Sequence, residues 1–182
     1  MPPSLTVAFL RGDPRNLHDA FVMDGTWGPY VHTEVLLTPQ AGPTRAYSSY
    51  DTAGGVVPVV PHAYGPEWDM VAFPLAPAGF YGLYAMLLAM IAAHPPYNRD
   101  DLWQCCVPFF LPFEADLDCA APRTWTGGVF CSQFACLLLR WACRAGHILP
   151  RGECRRRLEA VNSRGCSPNG LFSILTAREA PV

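Results

Sequence analysis

The chain has 182 residues, 51% hydrophobic and 12% aromatic, which is enough for one well-filled core and gives no reason to divide residues 1–182 into domains. Its 13 basic and 15 acidic residues leave a formal net charge of -2, so no chain-wide field gathers nucleic acid or anionic lipid, and nucleic-acid binding is not expected. All the basic residues are Arg, a compositional bias that carries no mechanism.

The N-terminal MPPSLTVAFLRGD lacks a basic leader, a long apolar run and a small-residue cleavage site, so no secretory signal is read and an intracellular, cytoplasmic chain is expected. The eight cysteines, at 105, 106, 119, 131, 136, 143, 154 and 166, are then reduced thiols, most of them small core residues. They contain no C-x-x-C pair, so neither a structural zinc site nor any other cofactor is expected.

Along the chain, Ser4 to Leu10 reads as a short buried strand and Ala20 to Met23 as a further apolar piece before the turn-rich DGTWGP. Tyr30 to Thr38, YVHTEVLLT, is a strand rich in β-branched residues that stops at Pro39. Its alternation puts His32 and Glu34 on one face and Val31, Thr33 and Val35 on the other. RAYSSYD pairs back as a hairpin, GGVVPVV is another apolar segment, and a strand starts near Trp68 in EWDMVAFPL.

Met70 to Ala93 carries no formal charge over 24 residues, long enough to cross a bilayer. Pro74, Pro77, Gly79 and Gly82 interrupt its first half, so the run predicts a strand end, a turn and a buried helix over Gly79 to Ala93, with no transmembrane segment. His94-Pro95-Pro96 ends that helix, and Tyr97 to Thr126 reads as irregular. In VFCSQFACLLLRWACRAG the pattern turns helical: Phe134, Leu137, Leu138 and Trp141 share a face, Gly146 stops the helix, and Cys131 falls in its first turn. Short helices follow over Gly152 to Val161 and from about Ser167 to Leu175. Arg151, Arg155, Arg156 and Arg157 read as the solvated face of the first of these rather than a phosphate site. The elements add up to an α+β chain with a small, mainly antiparallel sheet packed against helices.

A thiol in the first turn of a helix feels the positive end of the macrodipole and unpaired backbone N–H groups, which favour thiolate and offer donors for an oxyanion. Cys131 is therefore the expected nucleophile. His32 is its expected base, because Glu34 follows at the spacing that keeps both side chains on one face and orients the ring. Ser48, Ser49 and Asp51, on the neighbouring strand, are alternatives for the orienting position. His18 and His62 read as solvated loop residues, and Cys105 and Cys106 as buried thiols away from any helix start. By residue type and spacing alone, a core cysteine and a polar surface pair fit as well, and the function stays undecided.

The order of the segments adds to this. YVHTEVLL resembles the S-H-V-E-[IL] strand, and VFCSQF the F-C-S-E-[LF] helix start, of the permuted NlpC-type papain-like family, which includes YiiX-like proteins and viral relatives. WDMVAFPL, the helix after it, PPYN at Pro95 to Asn98 and SPNGLF resemble the family's middle and end, so the likeness runs from Val7 to the end of the chain. Tyr30 stands where a small polar residue is usual, and Gln133 where Glu is usual. The resemblance implies a circularly permuted papain-like fold with Cys131, His32 and Glu34 as catalytic residues and no metal. It also implies hydrolysis of an amide or ester through an acyl-enzyme, with peptide, isopeptide or lipid-ester substrates. A lipid acyltransferase or thioesterase of the same fold is the alternative, as is a non-catalytic structural or binding protein such as a virion component.

Overall fold

The computed structural model describes residues 2–60, 62–106, 115–125, 128–150 and 152–177. Five strands, β1 (Ser4–Arg11), β2 (Tyr30–Thr38), β3 (Arg45–Tyr50), β4 (Gly55–Pro58) and β5 (Trp68–Pro74), form one sheet in the order β4-β3-β2-β1-β5. Every neighbouring pair is antiparallel. β1 lies between β2 and β5, with Val7 opposite both Val35 and Val71. This register puts Leu5, Val7 and Phe9 on one face with Val35, Leu37 and, from β3, Tyr47, and all six join the hydrophobic core.

Six helices accompany the sheet: α1 (Leu17–Thr26), α2 (Pro77–Ala93), α3 (Arg99–Cys106), α4 (Cys131–Arg144), α5 (Gly152–Ala160) and α6 (Pro168–Leu175). In α4 every residue except Trp141 and Arg144 is buried. Such a helix can only be central. It meets β2 and β3 on one side and α2, α5 and α6 around the rest, and Phe134, Leu137 and Leu138 fill the core between them.

The uncharged run divides as its prolines require, with β5 ending at Pro74 and Pro77 at the first position of α2. The helix nevertheless passes through Gly79 and Gly82, because His147 packs against both; a Cβ on Gly82 would lie 2.4 Å from its Nε2. Leu83, Leu87 and Met90 make its buried stripe. Among the described residues no helix is long and apolar enough to cross a membrane.

Two segments differ from their sequence reading. The piece from Ala20 to Met23 lies within α1, and His18 in its first turn, because the Asn16 side chain accepts from the backbone N–H groups of His18 and Asp19 and starts a helix there. Tyr97 to Thr126 is not wholly irregular: it contains α3 and a single 3₁₀ turn at Pro122–Thr124. Asn98 caps α3 through Asp101 N–H at 2.9 Å, and Asp100 and Asp101 suit its positive end. In the Arg cluster, Arg156 and Arg157 bind Glu153 at 2.8 and 2.6 Å, and Arg151 lies outside the described residues.

Candidate active site

β2 carries two of the three expected residues. His32 stands opposite Leu10, beside a break in register at Leu10/Arg11, and Glu34 stands opposite Ala8 two residues on. The period of the strand sends both side chains to the same face. β3 supplies Ser48 and Tyr50 next to them.

The third residue arrives from α4. Val129 donates its N–H to Pro96 O at 2.9 Å, and its carbonyl accepts from Ser49 Oγ at 2.6 Å, so the segment entering the helix is tied both to the end of α2 and to β3. Gly128 is required here, with φ +78° and a would-be Cβ 2.2 Å from Pro96 O. The helix then opens at Cys131, and Gln133 reaches back to accept from the Phe130 N–H at 3.2 Å. Phe130 has no side-chain acceptor to answer it, so only half of a capping box forms. The N–H groups of the first turn have no intrahelical partner and point toward whatever occupies the helix start.

Cys131 lies close enough to the His32 ring for its sulfur to act on the imidazole. Burial lowers the imidazole's affinity for a proton, but the Cys131 sulfur and then Glu34 outweigh it, and His32 is raised from its ordinary 6.5 to about 9. Nε2 of the ring is 3.4 Å from Ser48 Oγ and 3.6 Å from Glu34 Oε1. Ser48 spends its hydroxyl proton on Thr33 O at 2.7 Å, so toward the ring it can only accept. The imidazole therefore has two acceptors on Nε2, at distances that orient it weakly.

Glu34 itself is held firmly. It is buried, and it accepts from the Tyr50 hydroxyl on Oε1 at 2.5 Å and from the Tyr64 hydroxyl on Oε2 at 2.6 Å. Burial would raise its pKa, yet the hydrogen bonds of His32, Tyr50 and Tyr64 together hold it below the ordinary carboxylate value. Both phenols are pushed well above their ordinary value, by burial first and by the Glu34 charge next.

Of the alternatives for the orienting position, Ser48 touches the ring, whereas Ser49 is spent on Val129 O and Asp51 is paired with Arg99 at 2.6 Å. His62 is an exposed loop residue as expected, and in addition its Nε2 lies 3.7 Å from Glu34 Oε2 and its ring packs on Tyr64 and Trp68. Cys105 and Cys106 sit at the far end of α3 from its N-terminus; burial pushes Cys106 up to about 11 and Cys105 higher still. All eight cysteines are free thiols, and among the described residues no group of three or more His, Cys, Asp or Glu side chains could hold a metal.

Comparison with family models, curated proteins and solved structures finds no match. The site therefore rests on its own geometry. Tyr50, Tyr64, His62 and Trp68, which surround Glu34 and His32, are given no place in the site by residue type and spacing. Tyr50 was accessible there, since alternation in RAYSSY puts it on the face of Ser48. PHAYGPE has no period that would announce Tyr64 or His62.

Proposed function

We propose that this chain is a cysteine-dependent hydrolase of amide or ester bonds, built on a circularly permuted papain-like fold, with Cys131 as nucleophile, His32 as acid and base, and Glu34 holding the imidazole. The observation that carries it is the meeting of a first-turn cysteine with a histidine 99 positions earlier in the chain, itself backed by a buried carboxylate. Two residues with no structural need for each other, joined at a helix N-terminus, make a site that can do covalent chemistry.

In this mechanism Cys131 Sγ attacks the substrate carbonyl as His32 takes the thiol proton. The carbonyl oxygen becomes an oxyanion that the free N–H groups of the α4 first turn can bind. As the carbon–leaving-group bond breaks, His32 gives its proton to the departing amine or alcohol and the acyl group stays on Sγ. Water then loses a proton to His32 and attacks the thioester, which releases the carboxylic acid and returns the thiol. Glu34 stabilises the imidazolium at each stage, and no cofactor takes part.

The burial of Cys131 favours one variation, acyl transfer to an acceptor other than water, because an acyl-enzyme shielded from solvent lasts until an acceptor binds. Activity-based profiling with acyl and peptide electrophiles tests the reading. Wild type should be labelled at Cys131, and Cys131→Ala should lose that adduct. Labelling that persists in Cys131→Ala, or that never reaches Cys131, contradicts it.

A further inference from the structure

A cavity of about 480 Å³ opens between α1 and α3, lined by Leu17, His18 and Phe21 of α1, by Trp103 of α3, and by Tyr97, Asp51 and Arg99. The three apolar side chains are 89%, 38% and 57% exposed, and the Phe21 and Trp103 rings lie 4.8 Å apart. So much apolar surface gathered at one concave place marks a binding site more readily than chance. The charges at the edge cancel, since Arg99 holds Asp51 through two hydrogen bonds of 2.8 and 2.6 Å. Apart from that pair and the His18 imidazole, the cavity offers apolar contact.

Its position relates it to Cys131. Tyr97 follows Pro96, whose carbonyl binds Val129 at the entrance to α4, and Asp51 follows Tyr50, whose ring lies 4.7 Å from that of His32. A larger cavity of about 660 Å³ touches His62 and Tyr64, which hold the Glu34 oxygen turned away from His32, so its occupant would meet phenol and imidazole rather than sulfur.

We propose that the cavity between α1 and α3 binds an apolar acyl group, aliphatic or aromatic, of the substrate attacked by Cys131, and that Phe21 and Trp103 determine the preference for it. This rests on the cysteine-hydrolase reading. Acyl groups too small to cover both rings, or carrying a charge, are poor substrates.

The test uses p-nitrophenyl esters of acetate, hexanoate and phenylacetate, with nitrophenolate release followed as the acyl group passes to the Cys131 sulfur. The rate in Cys131→Ala is subtracted, and the adduct is placed by mass spectrometry. Hexanoate, phenylacetate or both should exceed acetate at least about tenfold in kcat/KM, the scale of discrimination that apolar pockets achieve. Which of the two leads tells an aliphatic from an aromatic acyl group. The ratio should collapse to within about threefold of unity in the Phe21→Ala/Trp103→Ala double variant. Leu149→Ala, at an exposed apolar residue of another surface, should keep the wild-type ratio. Circular dichroism confirms that the variants fold. A wild-type ratio near one with Cys131 acylated overturns the pocket and leaves the hydrolase standing, as does a ratio that survives the double variant. No acylation of Cys131 by any ester overturns both.

Discussion

Asp101 and Glu34 are both buried carboxylates that serve the start of α4, yet Asp101 is bound by the Arg164 guanidinium at 3.0 Å and by the Asn98 and Gln133 amides at 2.8 and 3.2 Å, whereas Glu34 is surrounded by two phenols and two imidazoles. Arg keeps its charge at every pH the fold survives, so the Asp101 cluster is a permanent brace that holds Gln133 and, through it, the first turn. The partners of Glu34 can gain or lose protons. One carboxylate therefore anchors the helix, and the other favours the charged form of the histidine beside that helix.

The contrast breaks most visibly at Arg164. Replacing it by Met removes the buried Arg164–Asp101 ion pair, and urea unfolding should show a loss of about 3–5 kcal/mol. A loss under about 1 kcal/mol would mean that the Asp101 cluster is not the brace described.

The second effect is a pH dependence that belongs to the Glu34 side alone. His32 is raised from 6.5 to about 9 in the folded chain, so its contribution is fully present below pH 6.5 and is lost as pH rises through about 9. Its side chain is 17% exposed, little enough for the shift to count, and the full contribution is about 3 kcal/mol. Glu34 has the opposite sign: lowered from 4.5, it stabilises above that pH and its contribution fades as pH falls through its folded value. Unfolding free energies measured from pH 5 to 10 should decline above 6.5 in wild type, and the decline should flatten in His32→Gln.

Glu34→Gln keeps the shape but removes the charge, which should cost about 2 kcal/mol, the usual worth of hydrogen bonds to an ionised group. It should also bring the titration of His32 down, which NMR would follow. Smallest is Tyr64→Phe, at about 1 kcal/mol, because Tyr50 still donates to the other oxygen. If it costs as much as Glu34→Gln, the two phenols do not share the carboxylate as described.

Much of this was legible in the residues. The bounds of β2, the shared face of His32 and Glu34, and the opening of α4 at Cys131 follow from β-branched alternation, the stop at Pro39 and the apolar spacing of Phe134, Leu137 and Leu138. α3 was not, because RDDLWQCC carries too few apolar positions to show a period, and its capping Asn98 was read as part of a proline-rich loop. The packing around Glu34 was also out of reach: Tyr64 and His62 come from a loop without periodicity, and only the folded chain sets them beside β2. A strand pattern tells which side chains share a face, but not what covers that face.

The central claim is that Cys131 and His32 form one protonic unit, and the NMR titration of the His32 ring in wild type and Cys131→Ala tests it most directly. The midpoint should be about 9 in wild type and fall toward the ordinary imidazole value near 6.5 when the sulfur is removed. A His32 that titrates near 6.5 in both proteins would contradict it.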